Sequence, residues 1–197
     1  MGNSTLVTFT GKKINPFDLK CEDISIHDIA IGLSQKCRFN GQLSLNKFYS
    51  VAQHSTLISE QILMETGSNM LAITALLHDA CEAISPLGDV PSPAKDSISV
   101  FAFGKNMNIR EYEDKVNEII LEALDLKDCK HYLKDTKLKS WDKKMCQIER
   151  NELRCANLDI DTDIKINPWS RSRSYLEFMK LYESLQASIR SYRRVQL

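Results

Sequence analysis

Glycine and proline are scarce, with seven and five in 197 residues. These residues punctuate turns and linkers, so little of the chain is left for an interdomain linker, and no repeat or low-complexity tract interrupts it. No long apolar run occurs, so neither a membrane-spanning helix nor a secretory leader is expected. Of the six cysteines, Cys21, Cys37, Cys81, Cys129, Cys146 and Cys155, no two form a CxxC pair. A zinc knuckle or thioredoxin-type motif is therefore not expected. The composition suits a reduced, cytoplasmic protein with free thiols. Net charge is absent too, with 26 basic against 26 acidic residues, which argues against a strongly basic nucleic-acid binder. The locally basic C-terminal stretch "SRSRSYLEF…SIRSYRRVQL" reads as a solvated helix face.

What is present is helical periodicity. Residues 6 to 16, "LVTFTGKKINP", alternate weakly and suit a short hairpin or extended arm. After them the chain reads as helices. Ser25 can cap "IHDIAIGLSQKC", and Ser50 can cap "VAQHSTLISEQILMET", which Gly67 ends. Ser68 can cap one helix, "NMLAITALLHDACEAI", that runs to Pro86. "GDVPSPAK" is expected as a loop that leads into another helix. "NIREYEDKVNEIILEALDL", "KLKSWDKKMCQIERNELRCA" and "SYLEFMKLYESLQASIRSY" are amphipathic. The expectation is an all-α single domain over 1–197, with a core at about 22–160, a C-terminal helix at about 171–193 and a short extended or hairpin N-terminal arm.

One stretch, "LLHDACEAISPLGDVPSPAK", sets ionisable groups into an apolar helix. A buried charge costs several kcal/mol (order of magnitude) unless it gains a partner. His78 and Asp79 are about 100° apart on a helix and can flank one point. Glu82 rises on the same side. His54 lies within the apolar stripe Val51, Leu57, Ile58 and Ile62, and Asp142 lies beside Trp141 and Met145. Two imidazoles and two carboxylates suit one divalent transition ion (Co, Mn, Zn, Fe or Ni) better than Mg or Ca. By spacing alone, His54 equally fits a hydrogen-bonded core histidine and Asp142 a surface carboxylate. His27 and His131 read as surface residues.

The order His54, His78-Asp79, Asp142 resembles the HD-domain metal phosphohydrolases. "CRFNG", "FYSVAQHS", "LLHDACEAISPLGDVPSPAK" and "WDKKMCQIER" resemble blocks of its small nucleotide phosphohydrolases. That branch includes bacterial 5'-deoxynucleotidases and the dATP triphosphohydrolases of phages that replace adenine with 2-aminoadenine. The resemblance runs from about residue 10 to about residue 155 and implies an all-helical bundle around a metal. The residue pairs and motifs of guanosine-tetraphosphate hydrolases, HD-GYP phosphodiesterases and the larger dGTP triphosphohydrolases are missing.

The resemblance implies metal ligation by His54, His78, Asp79 and Asp142. It implies release of deoxyadenosine and triphosphate from dATP through attack of an activated water at the α-phosphate. Glu82 would orient the water or take its proton, and Asp89 would act as general acid or proton shuttle. Lys95, expected to open a helix, and Arg38 would bind phosphate. Phe39, where the relatives carry Trp, would stack on sugar or base, and Asn40 would read an adenine edge, although both Asn40 and Asp89 also fit turn positions. Arg150 and Lys143 are weaker phosphate candidates. The alternatives are a 5'-deoxynucleotidase acting on monophosphates, an HD-fold nuclease, and a non-catalytic nucleotide-binding module. The expected partners are a small-molecule nucleotide substrate and further copies of the chain, with neither membrane nor nucleic acid. The expected location is the cytoplasm, or the host cytoplasm if the chain is phage-encoded.

Overall fold

The computed structural model describes residues 5–154 and 162–195. Cys155 and the expected end of the core near residue 160 lie outside the described residues. The N-terminal arm is an antiparallel pair, β1 (Leu6–Val7) and β2 (Lys13–Ile14), with Leu6 opposite Ile14. It is tied down by the buried carboxylate of Asp28, which accepts from Thr10 N at 2.8 Å and from Thr10 Oγ1 at 2.7 Å.

Asp28 belongs to α1 (Ile26–Gln35), which stops two residues short of the expected end. Ser25 precedes this helix without a side-chain cap hydrogen bond. The next helix, α2 (Val51–Thr66), follows the sequence closely. Ser50 Oγ accepts from Gln53 N, and Gly67 closes the helix at φ +65°, a left-handed conformation that costs glycine no Cβ clash. Ser68 likewise caps α3 (Asn69–Leu76) by accepting from Leu71 N.

The single helix expected over 69–84 is broken. After α3 the chain tightens: Leu77 N donates to Thr74 O, Ala80 N to Leu77 O, and Glu82 N to Asp79 O. It resumes as the one-turn α4 (Cys81–Ile84). The break has a physical cause. Asn117 inserts its amide from the facing helix α6 (Ile109–Ala123), accepting from Cys81 N at 2.9 Å and donating to His78 O at 2.8 Å. A side chain that supplies both partners lets the ladder open without orphaning backbone groups.

A second correction concerns residues 99–108. They form a hairpin, β3 (Ser99–Ala102) and β4 (Lys105–Asn108), rather than continuing the helical pattern. Phe103 and Gly104, at φ +51° and +77°, make the two-residue turn whose twist suits a hairpin. Ala102 and Met107 bury one face. Between α4 and this hairpin lies the four-residue α5 (Ser92–Lys95).

The chain closes with α7 (Thr136–Arg154) and α8 (Arg171–Val195). Helix α8 lies against α1, α2 and α3, and α2 packs on α3 and α7. Ile29, Leu33, Ile58, Ile62, Ile73, Leu76 and Phe178 are buried where these helices meet, each contributing roughly 1.5–3 kcal/mol on burial. Gly32 is required here, because a Cβ would lie 2.8 Å from that of Ala83 on α4. The described fold is thus largely α, with two small antiparallel hairpins. Among the described residues, no helix is long and apolar enough to cross a membrane.

Candidate metal and anion site

Four segments converge beneath one opening. Helix α2 supplies His54 one turn after its cap. The broken stretch between α3 and α4 supplies His78 and Asp79. Helix α7 supplies Asp142, and the turn Arg38–Gly41 supplies Arg38. The Nε2 atoms of His54 and His78 lie 3.8 and 3.2 Å from Asp79 Oδ2. They lie 3.2 and 4.0 Å from Asp142 Oδ1. His54, His78 and Asp142 each offer a ligand atom within 4.8 Å of the other two. Asp79 sits beside this group and shares Oδ2 with Arg38 Nη1 at 3.6 Å.

Both imidazoles are held from behind. His78 Nδ1 lies 2.7 Å from Ala75 O, and a carbonyl only accepts, so Nδ1 carries the proton. His54 Nδ1 lies 2.6 Å from Glu149 Oε1 and by the same logic donates to it. Each ring, when neutral, therefore turns an Nε2 lone pair toward Asp79 and Asp142. An imidazole backed by a carboxylate or carbonyl in this way is prepared to bind a cation. In the neutral ring the buried His54 Nε2 faces Asp142 Oδ1 at 3.2 Å acceptor to acceptor, so it makes no hydrogen bond and leaves a lone pair that a cation would satisfy.

Charge leads to the same conclusion. With both rings neutral, Asp79, Asp142 and Glu149 set three carboxylates against the one guanidinium of Arg38, an excess of two negative charges in this cluster. Burial opposes ionisation of Asp79, yet His78, His54 and Arg38 outweigh it and hold the carboxyl below its usual range. Asp142 is lowered as well, burial being overcome by its contact with His54 and the charge of His78. For His78, burial favours the neutral ring, but Asp79 outweighs it and raises the pKa to about 9. A proton on the rings and a divalent cation thus compete for the same lone pairs. The donor set fits a borderline divalent ion.

Glu82, 3% exposed, projects from α4 with Oε2 unpartnered. Burial, then repulsion by Asp79 and Asp89, raises its pKa well above the usual carboxylate value. Asp89 follows Gly88 in the loop after α4, and its Oδ2 accepts from Phe39 N at 3.2 Å. Phe39 and Asn40 are in the left-handed region, at φ 56° and 50°. The Arg38 guanidinium lies 5.4 Å from the Phe39 ring centre. Arg38, Phe39, Asn40, Asp79, Glu82, Asp89, Lys95 and Asp142 all line one cavity of about 620 Å³, together with Lys143 and Arg150.

Lys95 departs from expectation. It ends α5 instead of opening a helix, and its Nζ donates to Glu113 Oε2 at 2.7 Å. The helix is one turn long, so its amides add no anion site beside the lysine. Arg38 is more committed than a free phosphate clamp, since its Nε donates to Glu149 Oε2 at 3.1 Å. His27 and His131 are exposed, as expected.

Sequence reasoning missed Glu149, Tyr49, Asn117 and Lys36. Glu149 is fully buried and gathers His54, Tyr49 and Arg38. A carboxylate falling between buried Met145, Ile148 and Leu153 on an amphipathic helix was its signal. Asn117 carries the same signal beside Val116, Ile120 and Leu121. Lys36 donates to Ser85 O at 3.3 Å, behind the loop that bears Asp89. Nothing in its local sequence marked it.

No family model matches the chain. It is 37% identical over 123 residues to the uncharacterized protein YfdR of Escherichia coli strain K12, covering 62% of this chain and 60% of that protein. It is 38% identical over 91 residues to the uncharacterized protein RCAP_rcc00048 of Rhodobacter capsulatus, covering 45% of each. The chain thus spans less than two thirds of the length of either relative.

Proposed function

We propose that the chain is a metal-dependent deoxynucleotide phosphohydrolase of the HD-domain type, acting on dATP to release deoxyadenosine and triphosphate. The observation that carries this reading is the pair of imidazoles locked as Nδ1–H, facing two carboxylates, with the His54 lone pair buried and unpartnered. His54, His78, Asp79 and Asp142 would hold one divalent ion. When bound, such an ion lowers the pKa of a coordinated water toward roughly 7 and polarises a phosphoryl oxygen.

The chain's own residues supply the rest. Glu82 Oε2, raised in pKa by burial and unpartnered, is suited to hold a proton at neutral pH. Glu82 would take the proton released by the attacking water, and Asp89, on the cavity wall, would relay it to the leaving O5'. Arg38 remains charged between Glu149 and Asp79 and is among the residues lining the cavity, where its guanidinium could also donate to an anion. Phe39 and Asn40 border the cavity where a base would lie.

The choice of a triphosphate over a monophosphate follows the family resemblance. A second cavity of about 250 Å³ meets the first at Asp79, Lys95 and Asp142, but its cations Lys95, Arg110 and Lys139 face the carboxylates of Asp79, Glu113, Asp114 and Asp142, and Lys95 is paired with Glu113. A phosphate tail there would depend on the bound ion to offset these carboxylates. The test is a screen of dNTPs, NTPs and dNMPs with added Mn, Co or Zn, with products separated by chromatography. Triphosphate and deoxyadenosine from dATP are the expected products. Turnover of dAMP alone would replace the reading with a 5'-deoxynucleotidase, and turnover of no nucleotide under any metal would refute it.

A further inference from the structure

We propose that Glu149 is a positioning residue that fixes His54 as the Nδ1–H tautomer and couples that ring to Arg38. This deepens the metal reading above and rests on it. The geometry is specific. Glu149 Oε1 accepts from His54 Nδ1 at 2.6 Å and from Tyr49 Oη at 2.8 Å, while Oε2 accepts from Arg38 Nε at 3.1 Å. Glu149 and His54 are both fully buried, so water does not substitute for a lost partner. One side chain thereby sets which nitrogen of His54 faces the site and where the guanidinium sits relative to Asp79.

Hydrogen-bond accounting gives a distinctive outcome for Glu149→Gln. The amide keeps one oxygen and gains one N–H₂ group. Arg38 has no acceptor atom, so the oxygen must face Arg38 and the amide nitrogen must face His54 and Tyr49. The Tyr49 hydroxyl can rotate and accept. His54 can accept only if Nδ1 surrenders its proton to Nε2. The ring then presents N–H, not a lone pair, toward Asp79 and Asp142, the wrong tautomer for ligation.

The test uses the full chain in three forms: wild type, Glu149→Gln and His78→Ala. Long-range ¹H–¹⁵N correlations of the metal-free imidazoles, at a pH where the rings are neutral, read the tautomer directly. Wild-type His54 should be Nδ1–H, and the Gln variant should shift it to Nε2–H. Zinc affinity by chelator competition should fall roughly 10–100-fold in the Gln variant. A purely structural role would lower stability and leave the tautomer unchanged. Glu149 is ruled out as the positioning residue if the Gln variant keeps Nδ1–H and binds zinc as wild type does. Nε2–H in metal-free wild type overturns the inference without any variant, so misfolding of Glu149→Gln does not shield it. If wild type and His78→Ala bind zinc equally weakly, the metal reading fails, and the tautomer measurement still decides the role of Glu149.

Discussion

Replacing Asn117 by Ala should destabilise the protein by about 2–4 kcal/mol, because two buried backbone groups, each costing about 1–3 kcal/mol when left unpaired, lose their partners together. The groups are the Cys81 amide and the His78 carbonyl, held at 2.9 and 2.8 Å. Partial access of water to the His78 turn keeps the expected value below the full sum. For a domain stabilised by roughly 5–15 kcal/mol this is a large fraction. Asn117→Asp separates the two bonds. Its carboxylate can still accept from Cys81 N but sets an oxygen against His78 O, so it should cost at least as much as Ala despite equal size. Urea unfolding followed by circular dichroism measures both, with an unchanged slope showing that the unfolded state is unaltered. Both variants should also bind a divalent ion more weakly, since the loosened turn carries His78 and Asp79. A loss under about 0.5 kcal/mol for Ala, the range of ordinary surface changes, would refute the claim that Asn117 holds the break open.

Further outcomes follow from the same geometry. Asp79→Ala and Asp142→Ala should each lose bound metal on dialysis while keeping helical circular dichroism; a variant that retains one equivalent removes that residue from the ligand set. Glu82→Gln should keep the metal and lose turnover by about 10²–10⁴-fold, and a rate within a few-fold of wild type takes Glu82 out of the chemistry. Gly32→Ala should lower the melting temperature, because the overlap with Ala83 costs about 1–3 kcal/mol, against a helix-propensity gain of about 1 kcal/mol. A more stable variant would show that α1 and α4 can move apart.

The elements visible in the sequence are those specified by neighbours in the chain. Ser50 and Gly67 bracket α2, Ser68 opens α3, and the stripes of α6 and α7 face the core as their period requires. His54, His78 and Asp142 were read in the sequence as converging, and the structure brings one ligand atom of each within 4.8 Å of the other two. What escaped notice depends on residues far apart. The break at 77–80 is imposed by Asn117, about forty positions away, and apolar periodicity across the break is uninterrupted. The β3–β4 hairpin was missed because its turn uses Phe103 rather than a familiar turn former at the first left-handed position. Lys95 was placed at the wrong end of α5 because Pro91 and Pro93 mark a helix start without fixing how soon it stops.

The three left-handed residues after Arg38 restrict how the cavity mouth can be recoded. Phe39, Asn40 and Gly41 all have positive φ, which costs an ordinary side chain about 1–2 kcal/mol per position and β-branched ones more. Val, Ile and Thr are therefore effectively excluded from 39 and 40. A mutagenesis library aimed at base preference would lose much of its diversity to misfolding if these two codons were fully randomised. It would do better to vary Gln42 and Gln147, which border the same cavity and have no positive φ.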